Sequence, residues 1–166
     1  MKHLMCLTIV TLLLTGCELK VEIPTKHAGV VITNDEEVKN QVLAPGQHIV
    51  RSDSKVILYD VNSEKLEIEF DFLFKDVSRG DLKITIDFTP VIDSLPGFYR
   101  KYHSIYVAPV IDSKTRSITR NLLSNYNPTE FTNGELRKKI VDALTNNREI
   151  TNYVKVHKVD IMDLRW

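Results

Sequence analysis

Two cysteines occur among 166 residues, Cys6 and Cys17, and none follows them. From residue 18 onward there is therefore no disulfide, no zinc-thiolate site and no cysteine nucleophile, so a fold here rests on packing alone. Nor is there an excess of charge of either sign, since 22 Lys plus Arg balance 22 Asp plus Glu. Nucleic-acid binding needs a basic footprint, and this chain lacks one. Long apolar runs are missing as well. The longest runs from Leu4 to Leu14, about 16 Å of helix at ~1.5 Å per residue, which is half of what a bilayer-spanning helix requires. There is no internal repeat, low-complexity tract or heptad run.

What stands at the N-terminus is a charged start at Lys2, the short apolar run, and then Leu14-Thr15-Gly16-Cys17. This is the layout of an export signal with its apolar h-region. The last four residues resemble the lipobox of bacterial lipoproteins. That resemblance implies cleavage after Gly16 and a diacylglycerol, with an N-acyl chain such as palmitate, on Cys17. The alternative is an ordinary signal cleaved at the small residue Gly16, with Cys17 incidental. Two or more acyl chains, at ~0.8 kcal/mol per buried CH₂, hold a protein on a bilayer almost permanently, so the domain is expected to be tethered rather than embedded. Glu18 follows the cysteine, where an aspartate would resemble an inner-membrane retention signal; both membranes stay open. The expected division is residues 1–16 as signal peptide and 17–165 as one domain. Removing the signal takes one basic residue, Lys2, leaving 21 basic against 22 acidic side chains on 150 residues. That length suits a single core.

Along the mature chain, Leu19, Val21 and Ile23 alternate with polar neighbours, and Gly29-Val30-Val31-Ile32 follows soon after. This predicts a strand, a turn and a second strand. Asn34 to Asn40 reads as polar connection. Pro45-Gly46 marks a turn before His48-Ile49-Val50, and Val56 to Val61 is a further strand. The clearest alternation comes next: Leu66, Ile68, Phe70, Phe72 and Phe74 against Glu67, Glu69, Asp71 and Lys75. Such a strand has one dry and one wet face. Ile84, Ile86 and Phe88 repeat the pattern, and with Gly80-Asp81 in the loop the two form an antiparallel hairpin.

The period then changes. Ile118, Leu122 and Tyr126 lie four apart from Lys114 onward, a helical stripe. Asn127-Pro128 reads as the start of a second helix, with Leu136, Ile140 and Leu144 as its buried ridge, running to about Asn147. The last segment puts Val154 and Val156 in one phase and Val159 and Ile161 in the other, so a bend or bulge is expected across His157-Lys158. The fold class is α+β: an antiparallel or mixed sheet with an N-terminal hairpin, two packed helices and a closing strand.

This order of motifs resembles the SPFH or band-7 domain of stomatins, prohibitins and flotillins. Ile23-Pro24-Thr25-Lys26-His27-Ala28-Gly29-Val30-Val31 is similar to its first hairpin, and Leu43-Ala44-Pro45-Gly46-Gln47-His48-Ile49 to its Pro-Gly-x-His turn. Pro109 with Ser113, Arg116 and Arg120 is similar to the pattern opening its first helix. Tyr126-Asn127-Pro128-Thr129-Glu130 with Leu136-Arg137 and Ile140 is similar to its second helix, and Val154 to Leu164 to its last strand. Lys75-Asp76-Val77-Ser78-Arg79-Gly80 departs from the family's usual Thr-Lys-Asp-Gly turn. The chain also stops at Trp166, where family members generally continue into an Ala/Glu-rich coiled coil that helps assemble rings; a large cage is not expected without it.

Catalytic constellations are absent. His27, His48, His103 and His157 are isolated, with no spacing that brings two imidazoles to one ion, and His3 is in the signal. No Gly-x-Ser-x-Gly elbow or Gly-rich phosphate loop occurs. Glu64, Glu67 and Glu69 are expected on a solvated strand face. Lys114, Arg116 and Arg120 read as a solvated helix face or as a contact for an acidic partner or lipid headgroup. Phe98-Tyr99-Arg100-Lys101-Tyr102 either packs across the helix layer or meets a membrane or neighbour, where ring and base together suit an interface. Phe98, Tyr99, Arg100, Tyr102, Arg116 and Arg120 are thus the candidate interface residues, and Cys17 the lipidation site. No metal and no cofactor beyond the covalent lipid is expected, and no enzyme. The resemblance implies a membrane-anchored, extracytoplasmic scaffold or modulator of membrane and envelope proteins, with homo-oligomerisation implied by the family. The alternative is a small inhibitor-type binding lipoprotein, phage- or plasmid-encoded, that blocks an envelope protein.

Overall fold

A computed structural model describes residues 18–103 and 106–166. Gly16 and Cys17, on which the expectation of an anchor falls, lie outside the described residues. The N-terminal half is made of strands. β1 (Glu18–Ile23) pairs antiparallel with β4 (Gly46–Arg51) in a two-stranded ribbon, with Glu18 opposite Arg51 and Ile23 opposite Gly46. β2 (His27–Thr33) is the centre of a second sheet, flanked by β3 (Val38–Leu43) and β5 (Ser54–Asp60). The ribbon packs on this sheet through a small core of Ile23, Leu43 and Val50. Gly29 permits that approach, because a Cβ there would sit 2.8 Å from Ile23 Cδ1 and 2.9 Å from Val56 Cγ1.

The third sheet holds the long hairpin of β6 (Glu64–Leu73) and β7 (Arg79–Pro90), and the closing strand β8 (Val154–Arg165) lies on the other side of β7. Between β7 and β8 come α1 (Leu95–Tyr102), α2 (Val107–Leu123), α3 (Asn133–Thr145) and the single turn α4 (Arg148–Thr151). Side chains of the second and third sheets and of all four helices merge into one hydrophobic cluster. The alternation in β6 translates directly into burial: Ile68, Phe70 and Phe72 are buried while Glu67 and Glu69 face water. The α+β class and the closing strand are as the sequence predicts.

Several boundaries differ, each for a local reason. β1 and β2 are joined by the Pro24–Lys26 turn, yet hydrogen-bond to β4 and β5 rather than to each other; the N-terminal hairpin is β2–β3. The polar stretch Asn34 to Asn40 contains the start of β3, an edge strand whose Lys39, Asn40 and Gln41 are exposed, so alternation is weak there. Gly80-Asp81 lies within β7 rather than in the loop. Gly80 is opposite Phe72 in the register, and a Cβ there would meet the Phe72 ring at 2.5 Å and the Arg165 main-chain oxygen at 2.7 Å. The turn itself is Lys75 to Ser78, with Val77 at φ 68°, a left-handed conformation uncommon for a β-branched residue.

The helices begin elsewhere too. The apolar spacing predicts no helix at α1, and α2 starts at Val107, seven residues before Lys114. Its buried ridge is Val107, Ile111, Thr115, Thr119 and Leu123, one position away from the Ile118 and Leu122 stripe, because two of the buried positions are threonine. Asn127 and Glu130 form a capping box over a short 3₁₀ turn, Pro128–Glu130. The helix proper starts after Thr132, whose hydroxyl accepts from the Glu135 N–H while the Glu135 carboxylate accepts from the Thr132 N–H, a second capping box. Leu136, Ile140 and Leu144 are its buried ridge, as the spacing predicts. Along β8 the pairing with β7 slips between Asp87 and Phe88, leaving His157 as the extra residue of a bulge where the sequence predicts one; a second slip, at Met162, has no counterpart in the sequence pattern.

Candidate functional site

A common device recurs at the sheet edges, and three of the candidate interface residues take part in it. β3, β6 and β8 are all edge strands, and an edge presents unpaired carbonyls that invite another chain. From α2, Arg116 donates to the Glu69 main-chain oxygen at 2.8 Å and Arg120 to that of Asp71 at 3.0 Å, both on β6. From α3, Arg137 donates to the Ile161 oxygen of β8 at 2.6 Å. From α1, Arg100 donates to the Val38 oxygen of β3 at 3.2 Å and to the Asn40 side chain. Each of the three longer helices therefore caps one sheet edge with an arginine fork.

The spacing of α2 makes its double cap work. Arg116 and Arg120 are one helical turn apart, on the same face, and reach carbonyls two residues apart on β6. Both guanidinium groups lie over the Phe70 ring, 5.3 and 5.4 Å from its centre, a cation–π arrangement. Arg116 is held at 2.8 Å by Asp112, one turn back on the same helix. Asp71 takes Arg79 at 2.7 Å and Arg120 at 3.5 Å. Its own main-chain N–H, followed by Arg79, keeps the Asp71 carboxyl below the usual carboxylate range. Arg116 and Arg120 thus bond to β6 while their side chains stay 31 and 49 % exposed.

The aromatic candidates are redistributed in the same way. Phe98 is fully buried, the packing alternative for this stretch; its ring meets Tyr59, Tyr102 and Tyr153 at 6.1, 5.0 and 5.4 Å between centroids. Three rings, from β5, from α1 itself and from the turn between α4 and β8, thus enclose it, because α1 docks its Leu95, Phe98 side against the core. Tyr102 is half-buried in that cluster. Tyr99 and Arg100 line a cleft of about 700 Å³ between α1 and the β2–β3 hairpin, with Thr33, Glu37, Lys55 and His103 among the other lining residues. There Lys39, 2.7 Å away, holds the Glu37 carboxyl below its ordinary range. No sequence signal pointed to this cleft, because its walls come from segments 60 residues apart.

A second cleft, of about 360 Å³, lies between the end of β5 and the start of α2, lined by Leu58, Asp60, Glu64, Tyr106, Val107 and Pro109 among others. Burial, reinforced by the neighbouring Asp60, raises the Glu64 carboxyl above its ordinary range. The described histidines stand apart: His27 against the Thr25 oxygen, His48 against the Ala44 oxygen and His157 against the Thr89 hydroxyl, with His103 stacked edge-on to Tyr99. Among the described residues no group of three or more His, Cys, Asp and Glu converges as a metal site, and no helix is long and apolar enough to cross a membrane.

These observations define an α+β module in which arginines of three helices bond to main-chain oxygens on the β3, β6 and β8 edges. The SPFH domain / Band 7 family matches the chain over residues 21–165, and the chain belongs to that family. No curated protein matches it. Members of the family are generally non-enzymatic scaffolds and typically associate with membranes.

Proposed function

We propose that the chain is a lipoprotein, cleaved after Gly16 and acylated on Cys17, whose band-7 module acts without catalysis as a scaffold or modulator of membrane and envelope proteins on the extracytoplasmic side. The observation that carries this reading is the adjacency of two features. The lipobox-like Leu14-Thr15-Gly16-Cys17 ends where β1 begins, at Glu18. A lipid on Cys17 would hold the β1–β4 ribbon against the headgroups with no linker between. Confinement to that layer raises the module's effective concentration toward membrane partners without any new contact. Further copies of the chain are the other partner class, as the family implies.

Membrane fractionation tests the reading. Wild type is expected in the membrane pellet, resisting high salt and released by detergent, while Cys17→Ala is expected to lose that attachment. Equal distribution of the two would refute it.

A further inference from the structure

The β1–β4 ribbon has two unlike ends. At the end where Ile23 stands opposite Gly46, its inner face is packed into the small core with Leu43. At the end where Glu18 stands opposite Arg51, two aliphatic side chains meet water: Leu19 is 47 % exposed and Ile49 61 % exposed. They lie on opposite faces, because cross-strand partners share a face and successive residues alternate. Leu19 is opposite Val50, on the face that carries Ile23 into the core, whereas Ile49 is opposite Lys20 on the outer face. That outer face is otherwise polar, with Glu18, Lys20, Glu22, Gln47 and Arg51. A single exposed aliphatic residue is ordinary, but two that flank one end of a strand pair on both its faces single out the end rather than either face. The charges of Glu18 and Asp53 offset those of Lys20 and Arg51 there, with Arg51 held to Asp53 at 2.6 Å.

We propose that this end of the ribbon enters the headgroup layer of a lipid bilayer, with Leu19 at the boundary with the acyl chains, Ile49 among the headgroups above it, and Lys20 and Arg51 reaching the phosphates with their long stems. The inference rests on the acylated Cys17 of the proposed function and adds to it the way the module stands. Reach carries the argument. At ~3.4 Å per residue the Leu19 Cα is at most ~7 Å from that of Cys17 and the Lys20 Cα at most ~10 Å, with Ile49 directly across from Lys20. A diacylglycerol on Cys17 places its glycerol at the base of a headgroup layer roughly 5–8 Å deep. Leu19 then stands inside that layer, and a tilt of the ribbon brings Ile49 into it as well. Two aliphatic side chains would hold a free protein on a membrane poorly, but the anchor has already brought them to the surface, so a weak contact suffices. The lipid fixes a point; these two residues fix an orientation, in which the Ile23 end of the ribbon points away from the bilayer.

The test uses the full chain, purified in non-ionic detergent from its own membrane and reconstituted into vesicles of phosphatidylethanolamine and phosphatidylglycerol. Leu19→Cys, Ile49→Cys and Gln47→Cys each carry a nitrobenzoxadiazole label, read by quenching with phosphatidylcholine that bears a nitroxide beside its headgroup. Wild type, its Cys17 sulfur closed in a thioether, is expected to take no label. Gln47 lies on the same face of β4 as Ile49, two residues nearer the core end. The Leu19 and Ile49 probes are expected to be quenched about threefold more strongly than the Gln47 probe. Equal quenching of all three, or quenching of none, overturns the proposal. So does equal quenching of Ile49 and Gln47 above Leu19, which describes a ribbon lying flat on its outer face. Flotation of unlabelled wild type with the vesicles reads the anchor separately. A chain that floats without quenching overturns this inference alone, whereas one that neither floats nor is quenched overturns it together with the acylation of Cys17.

Discussion

The guanidinium of Arg116 on α2 donates to the main-chain oxygen of Glu69, 2.8 Å away on the outer edge of β6. One turn later Arg120 does the same to Asp71, so a helix closes the edge with side chains rather than with a further strand. This is protection against edge-to-edge association. The double variant Arg116→Ala/Arg120→Ala is expected to lose about 1 to 3 kcal/mol of stability, two charge-assisted bonds at a half-exposed site. It is also expected to aggregate on mild heating where wild type stays dispersed. Denaturant unfolding and light scattering check this; Arg116→Lys/Arg120→Lys should recover only part, since an ammonium lacks the planar fork.

Phe98 distinguishes a packing role from a surface role. Its ring is enclosed by Tyr59, Tyr102 and Tyr153, so Phe98→Ala is expected to cost about 3 to 5 kcal/mol. Tyr99→Ala, on the rim of the larger cleft, is expected to cost much less. Urea midpoints of the two variants give the comparison, and similar losses would place Phe98 outside the core.

Thr115 and Thr119 sit on the buried face of α2, and among the described residues neither hydroxyl oxygen has a hydrogen-bond partner. A buried hydroxyl without a partner is costly, and an apolar group of the same shape removes that cost. Thr115→Val and Thr119→Val are each expected to stabilise by about 1 kcal/mol, raising the thermal midpoint by ~2–4 °C. Calorimetry reads the sign directly.

Acid should loosen the start of α3. The Thr132 main-chain N–H, then its hydroxyl, holds the Glu135 carboxyl below the ordinary range. A carboxylate depressed in the folded state contributes stability that is fully present above its unfolded pKa, about 4.3, and is lost as pH falls through the folded value. The stability difference between wild type and Glu135→Gln is therefore expected to be constant from pH 7 to about 5 and to shrink below it. Denaturant titrations across that range check it.

Burial patterns explain what could be read from the residues. β6, with one face dry and one wet, announces itself through Ile68, Phe70 and Phe72, and α3 through Leu136, Ile140 and Leu144. The phase slip in β8 likewise predicts the bulge at His157. Where the apolar period is diluted, the reading fails: β3 is an exposed edge, and the buried seam of α2 includes Thr115 and Thr119. Gly80 resembles a loop residue until Phe72 is placed across from it. The candidate site was the least legible part. A basic residue on a helix face has the same sequence signature whether it meets solvent, a lipid headgroup or a carbonyl on a strand some 50 positions earlier, and only tertiary packing separates the three for Arg116 and Arg120.

Whether the module is held on a bilayer by its first mature residue is decided by mass spectrometry of the N-terminal peptide from protein extracted from its native membrane. A peptide starting at Cys17 and carrying the mass of a diacylglyceryl thioether is the expected result, with that species missing from Cys17→Ala. An unmodified Cys17, or a chain retaining residues 1–16, would contradict the anchoring on which the proposed function depends.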